Sequence, residues 1–195
     1  KDFLGSYLIL GGLGVVGMAL VAALKIPAPS ADERRQSGRP LAEIVRQPSL
    51  VIAILVGMIA YSTMILLMTA TPLAMIGHGF HIDDASFVIQ WHMVAMFAPA
   101  FFTGSIIHRF GVDKVMVAGT VLLGVAITSA LSGNQIIHFW TALFALGLGW
   151  NFAFIGASTL LTETYAPSEK AKAQALNDFL VFGMVTLASL TSGTI

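Results

Sequence analysis

The sequence contains no cysteine and very little charge. Only 10% of its 195 residues are Asp, Glu, Lys or Arg, whereas a soluble domain carries roughly 25%. Without cysteine, disulfides, thiol chemistry and cysteine-based zinc sites are excluded. Because 56% of the residues are hydrophobic and the mean hydropathy is +0.85, so little charge cannot cover a water-facing surface. The composition therefore excludes a soluble globular enzyme and indicates a chain that is solvated by a lipid bilayer.

Long apolar runs take the place of charge. A spanning helix needs about 20 apolar residues. Six stretches qualify, at roughly residues 3–24, 49–76, 85–107, 112–132, 136–161 and 173–195. We therefore predict an all-α fold, a polytopic transmembrane helix bundle with six spans. Residues 25–48 contain four prolines and five basic residues, so we predict a long polar connection there.

The basic residues lie almost entirely on one side of the predicted spans. If each run crosses once, one side receives nine of them: Lys25, Arg34, Arg35, Arg39, Arg46, Arg109, Lys114, Lys170 and Lys172. Only Lys1 lies on the other side. Loops rich in Lys and Arg stay in the cytoplasm. We expect an integral protein of the plasma membrane, the inner membrane in a bacterium, with loop 25–48 in the cytoplasm.

A short motif lies in the loop between the third and fourth runs. Residues 104–114 read GSIIHRFGVDK and resemble the loop signature G-x-x-x-D-R-x-G-R-K of the major facilitator superfamily. The matching positions are Gly104, Arg109, Gly111 and Lys114, while His108 replaces the Asp and Asp113 stands where a basic residue is usual. In that family the signature lies between helices two and three, with a weaker copy between helices eight and nine. The departures are typical of the weaker copy.

The resemblance implies an architecture and a function. The chain would cover helices six to eleven of a twelve-helix pattern: 1–24 would be the last helix of the N-terminal half, 25–48 the cytoplasmic loop between halves, and 49–195 the C-terminal half without its final helix. Family members are secondary transporters that move a solute by rocking two halves about a central site. The implied partners are a small-molecule solute, the lipid bilayer and the N-terminal half of the same protein.

Helical periodicity selects candidate cavity residues, because polar groups in a membrane usually face the bundle interior. The candidates share faces of the second, third and fifth runs: Tyr61, Met64, Met68, Gln90, Phe97, Asn151, Phe154 and Ser158. Two alternatives stay open, which are apolar packing for the methionines and an interhelical hydrogen bond for Asn151. Gly104, His108, Arg109, Gly111 and Lys114 would form a lock between halves, or else an ordinary cytoplasmic turn.

Few titratable groups lie within the predicted spans. His92 points about 160° away from Gln90, so we expect either a packed histidine bonded to a neighbouring helix or a proton-coupling site. Asp178 lies about one turn inside the cytoplasmic surface, near a helix N-terminus that favours a carboxylate. We assign Asp178 and Glu163 to a cytoplasmic gate.

Other function classes find little support. The run Gly156-Ala157-Ser158 lacks the following Gly of an intramembrane serine protease, and a surface loop explains His78, His81, Asp83 and Asp84 better than a metal site does. The sequence shows neither a ring of charges nor a selectivity filter, and no nucleic-acid module. We expect no enzyme activity, no metal and no cofactor. A six-span channel or an intramembrane enzyme is the alternative.

Overall fold

The computed structural model describes residues 4–24 and 38–192. The chain divides into two units, residues 1–36 and 37–195. The first unit contains helix α1, Leu4–Ala23, which has no charged residue and whose 20 residues give a length of about 30 Å, enough to cross a bilayer. Most of the predicted polar connection, residues 25–37, lies outside the described residues.

The second unit consists of helices in its described part. The elements are α2 (Leu41–Ile44), α3 (Pro48–Gly77), α4 (Ile82–Phe97), α5 (Ala100–Phe110), α6 (Val112–Leu131), α7 (Ile136–Thr162), a 3₁₀ turn (Pro167–Glu169) and α8 (Lys170–Ser192). Helices α3, α6, α7 and α8 are each long and apolar enough to span, and α4 and α5 are so when the bent pair is counted as one span. With α1, these elements confirm the six predicted spans and the all-α class.

A proline divides the span formed by α4 and α5. The two helices meet at an angle of 43°, with Pro99 between them. Proline has no backbone N–H, and its ring clashes with the preceding turn, so a bend is expected at this position. The Thr103 hydroxyl donates to the Pro99 carbonyl over 2.8 Å. The bend separates a first piece, α4, from a second piece, α5, which leads into the loop at Gly111.

Helix α7 is central to the second unit and packs against α3, α4 and α6. Its contact with α6 depends on small residues. A Cβ atom added to Gly149 would lie 2.9 Å from the backbone nitrogen of Leu123, and one added to Gly119 would overlap the backbone of Ala153. Small residues allow membrane helices to approach this closely, so that van der Waals packing holds them together.

Buried clusters lie at both ends of the unit. The cluster near α2 includes Ile44, Leu50 and Leu161, so this short helix is anchored against α3 and α7. The opposite cluster includes Met75 and Leu143. A further cluster lies between them on α3, α6 and α7, and the candidate site borders this middle cluster.

Candidate functional site

Four aromatic side chains from three helices meet beside the middle cluster. Tyr61 of α3 contacts Trp150 and Phe154 of α7 and Phe182 of α8 edge to face, with ring centroids 5.7, 5.4 and 5.8 Å apart. Trp150 and Phe154, four residues apart on one helix, stack at 4.8 Å with 12° between their planes. Both geometries are favourable for aromatic pairs. We call these four residues the aromatic cluster.

The aromatic cluster lies near the midpoint of each helix that contributes to it. It is only partly covered: Phe182 is 53% exposed, and the other three rings are half-buried. Met64 and Met68, on the same face of α3 as Tyr61, pack with Trp150 and Phe154 against the middle cluster. The structure therefore brings together four of the predicted cavity residues: Tyr61, Met64, Met68 and Phe154.

Three other predicted cavity residues lie elsewhere. Gln90 and Phe97 are exposed on α4, with Phe97 at 59%, and Ser158 is exposed one turn beyond Phe154 toward the C-terminal end of α7. Gln90 and Phe97 share an outward face with Gly104 of α5, where an added Cβ would meet no atom within 4 Å. A contact between this face and the other half of a transporter stays a prediction.

Asn151 is engaged in helix packing. It is 1% exposed; its amide nitrogen donates to the Met96 carbonyl over 2.8 Å, and its amide oxygen accepts from the Thr103 hydroxyl. The side chain thus ties α7 to both pieces of the bent span. These contacts match the alternative given above, in which Asn151 makes an interhelical hydrogen bond. The site proposed below does not depend on Asn151.

His92 is also enclosed by helices. It is fully buried, and its Nδ1 lies 2.8 Å from the Leu143 carbonyl of α7. Because a carbonyl only accepts, Nδ1 is the nitrogen that carries the proton. The arrangement is that of a packed histidine bonded to a neighbouring helix.

The loop between α5 and α6 turns at Gly111. This residue has φ +91° and ψ 150°, which L side chains rarely adopt, and it alone separates the last residue of α5 from the first residue of α6. His108, Arg109 and Lys114 are exposed, with the Arg109 guanidinium 5.4 Å from the Phe110 ring centroid.

Glu163 and Asp178, the predicted gate carboxylates, are both exposed. Asp178 accepts a hydrogen bond from its neighbour Asn177 over 3.1 Å. Within the described ranges, no three His, Asp or Glu side chains lie close enough together to hold a metal ion.

The family model of the Major Facilitator Superfamily matches residues 2–189. The chain belongs to the Major Facilitator Superfamily. It is 44% identical over 195 residues to the riboflavin transporter RfnT of Brucella anthropi, in a match that covers 99% of this chain and 49% of that protein. The chain thus spans about half the length of this curated relative.

Two Bacillus subtilis proteins are more distant relatives of this superfamily member. The uncharacterized MFS-type transporter YdeG is 34% identical over 120 residues, covering 60% of this chain and 28% of that protein. The uncharacterized MFS-type transporter YddS is 29% identical over 157 residues, in a match that covers 79% of this chain and 36% of that protein. No solved structure matches the chain.

An ion pair that the sequence did not predict joins the segment before α2 to the 3₁₀ turn before α8. Arg39 Nε and Nη2 donate to the two carboxylate oxygens of Glu169, each over 2.8 Å. The backbone N–H groups of Arg39 and Ala166 donate to the same carboxylate over 2.8 and 3.0 Å. The Glu169 side chain is only 3% exposed. We call this pair the Arg39–Glu169 clamp.

The clamp shifts the titration of both partners. The hydrogen bonds from the Arg39 side chain, supported by those from the two backbone N–H groups, hold the pKa of Glu169 far below its ordinary value. The bonded carboxylate in turn raises the pKa of Arg39. Because 130 residues separate the partners, no local pattern indicated the pair.

A second aromatic group joins α4 to the first half of α7. Trp140 stacks on Phe144 at 4.9 Å, Trp91 meets the edge of Trp140 at 6.1 Å, and Phe87 contacts Trp91. These contacts hold the two helices together in the part of α7 that precedes Asn151.

Proposed function

We propose that this chain is part of a secondary transporter that moves a small organic solute by alternating access. Membership of the superfamily supports this proposal, as does the order of spans around a polar connection. In it, residues 1–24 end the N-terminal half, 25–48 form the cytoplasmic connection, and 49–195 form the C-terminal half without its last helix. The protein resides in the plasma membrane, the inner membrane in a bacterium.

The proposed solute is a planar aromatic molecule, and the aromatic cluster is the observation that carries this proposal. Its rings line a partly open surface at mid-span, where transporters of this kind bind solutes. Flat rings stack on such side chains, and methionine adapts to irregular shapes. No charged side chain belongs to the cluster or to the two methionines beside it, so an uncharged solute is favoured.

Riboflavin is the first solute to test, since a relative that is 44% identical over nearly the whole chain is named as a riboflavin transporter. The N-terminal half supplies the opposite wall of the cavity, facing Gln90, Phe97 and Ser158. The loop at residues 104–114 forms the cytoplasmic gate, together with Glu163 and Asp178. If a proton drives transport, His92 is the deep titratable group of this chain to examine.

The test uses the full-length protein in proteoliposomes with radiolabelled riboflavin. We expect saturable uptake and counterflow, since a carrier binds its solute on each side in turn. Tyr61→Leu and Phe154→Leu should each raise KM about five- to tenfold, because each removes a ring worth about 1 kcal/mol beyond its buried area. Phe80→Leu is the matched control, since Phe80 is a partly buried ring outside the aromatic cluster that contacts Phe139.

Two outcomes would contradict this proposal. Uptake that rises linearly with riboflavin concentration and shows no counterflow would indicate a channel instead of a carrier. Saturable uptake with equal KM values for all three variants would place the solute away from the aromatic cluster.

A further inference from the structure

Three buried polar side-chain atoms have no hydrogen-bond partner among the described residues: Ser62 Oγ, His92 Nε2 and Trp150 Nε1. Two of them have simple explanations. A helical serine can turn its hydroxyl toward a backbone carbonyl of its own helix. His92 donates through Nδ1, so its Nε2 carries no proton and is not an unpaired donor.

Trp150 Nε1 is different, because the indole N–H is purely a donor and it belongs to the aromatic cluster. Its ring neighbours, Tyr61 at 5.7 Å and Phe154 at 4.8 Å, accept no hydrogen bond from it. A donor left unpaired in an apolar site costs free energy comparable with a lost hydrogen bond. An acceptor from outside the described residues can pair with Nε1, but the atom is covered by protein in this structure, so it becomes reachable only when a neighbouring side chain moves aside.

Resting on the function proposed above, we propose that Trp150 determines specificity by donating a hydrogen bond from Nε1 to an acceptor on the edge of the planar solute. The indole N–H lies in the ring plane, so the acceptor must lie close to that plane. A flat solute that shares this plane is also within about 12° of parallel to Phe154. The orientation that satisfies the donor is therefore also nearly parallel to the Phe154 ring.

This geometry narrows the solute class. The solute is a planar heteroaromatic molecule with a carbonyl oxygen or a ring nitrogen at its edge. A flat hydrocarbon of the same size would leave the Trp150 N–H unpaired and would bind more weakly. Sites that pair a buried donor with a substrate acceptor discriminate strongly against analogues without the acceptor.

The test replaces only the N–H. In the full-length protein, Trp150 is exchanged for 3-benzothienylalanine, which carries sulfur in place of the indole N–H and keeps the ring shape. KM and kcat for riboflavin are then measured in proteoliposomes. The same exchange at Trp140, which also stacks on a phenylalanine of α7, is the matched control. Trp150→Phe, by standard mutagenesis, provides a second variant without the donor.

We expect the Trp150 exchange to raise KM about fivefold with kcat little changed, the effect of one uncharged hydrogen bond. The Trp140 exchange should leave both constants unchanged, and Trp150→Phe should raise KM at least as much as the isostere does. A wild-type KM in both Trp150 variants would overturn the inference. A Trp150 variant that loses thermal stability without solute but keeps the wild-type KM would also overturn it, because the donor would then serve the fold alone. If the wild type itself carries no riboflavin, the proposed function fails and this inference falls with it.

Discussion

Gly111 joins α5 to α6 through a conformation that other residues rarely adopt, with φ +91° and ψ 150°. We predict that Gly111→Ala lowers the free energy of unfolding by about 1–3 kcal/mol, the usual cost of a non-glycine residue in such a region. The measurement is thermal or denaturant unfolding of the full-length protein in detergent. Gly124→Ala is the control, because Gly124 is an exposed helical residue of α6 with no atom within 4 Å of an added Cβ.

Gly124→Ala should leave the free energy of unfolding unchanged or raise it slightly, because alanine favours a helix more than glycine does. Equal stability of the two variants would show that the chain relaxes around residue 111 and that the reversal does not require glycine.

Asn151 shows what sequence reasoning could and could not establish for one residue. A polar amide at mid-span had to meet a helix, water or a ligand, and this requirement was clear without a structure. The choice among them depended on Met96 and Thr103, about 50 residues away on another span. No local pattern contains that information.

At the scale of elements, the Arg39–Glu169 clamp fastens the segment before α2 to the 3₁₀ turn before α8. Because the pKa of Glu169 is lowered in the folded protein, the ion pair contributes fully above the ordinary carboxyl value of about 4.5. Its contribution is lost only as the pH falls below that value, toward the folded-state pKa.

We therefore predict that Glu169→Gln lowers the unfolding midpoint by a constant amount between about pH 5 and pH 8, and that the difference from wild type shrinks below about pH 4.5. Thermal unfolding in detergent over this pH range provides the measurement. Glu163→Gln, at an exposed carboxylate nearby, should change little. A Glu169 effect that disappears between pH 5 and pH 8 would contradict the lowered pKa.

The elements themselves were largely predictable, and part of the candidate site was as well. Six apolar runs became the six spans within a few residues, because a bilayer requires long uninterrupted helices. Periodicity placed Tyr61, Met64 and Met68 on one face of α3. The contribution of Phe182 was not predicted, because an apolar ring in an apolar span looks the same whether it faces lipid, a helix or a solute.

At the scale of the whole molecule, the charge pattern predicts which loops face the cytoplasm. A cysteine introduced at Asn134, between α6 and α7, should react with a membrane-impermeant maleimide in intact cells. A cysteine introduced at Lys114 should react only after the cells are permeabilised. Residues 1–195 contain no cysteine, so the unsubstituted protein provides the labelling background. The reverse labelling pattern would overturn the orientation derived from the positive-inside rule.

The 43° bend at Pro99 has a mechanical consequence. Helix α4 is fixed to α7 through His92, and Asn151 bonds to α7's neighbours on either side of the joint, at Met96 and Thr103. Beyond the joint, the 11 residues of α5 extend about 16 Å, with Thr103 as the buried side chain of this helix. Over this length, a difference of about 10° in the angle of the joint corresponds to a shift of about 3 Å at Arg109.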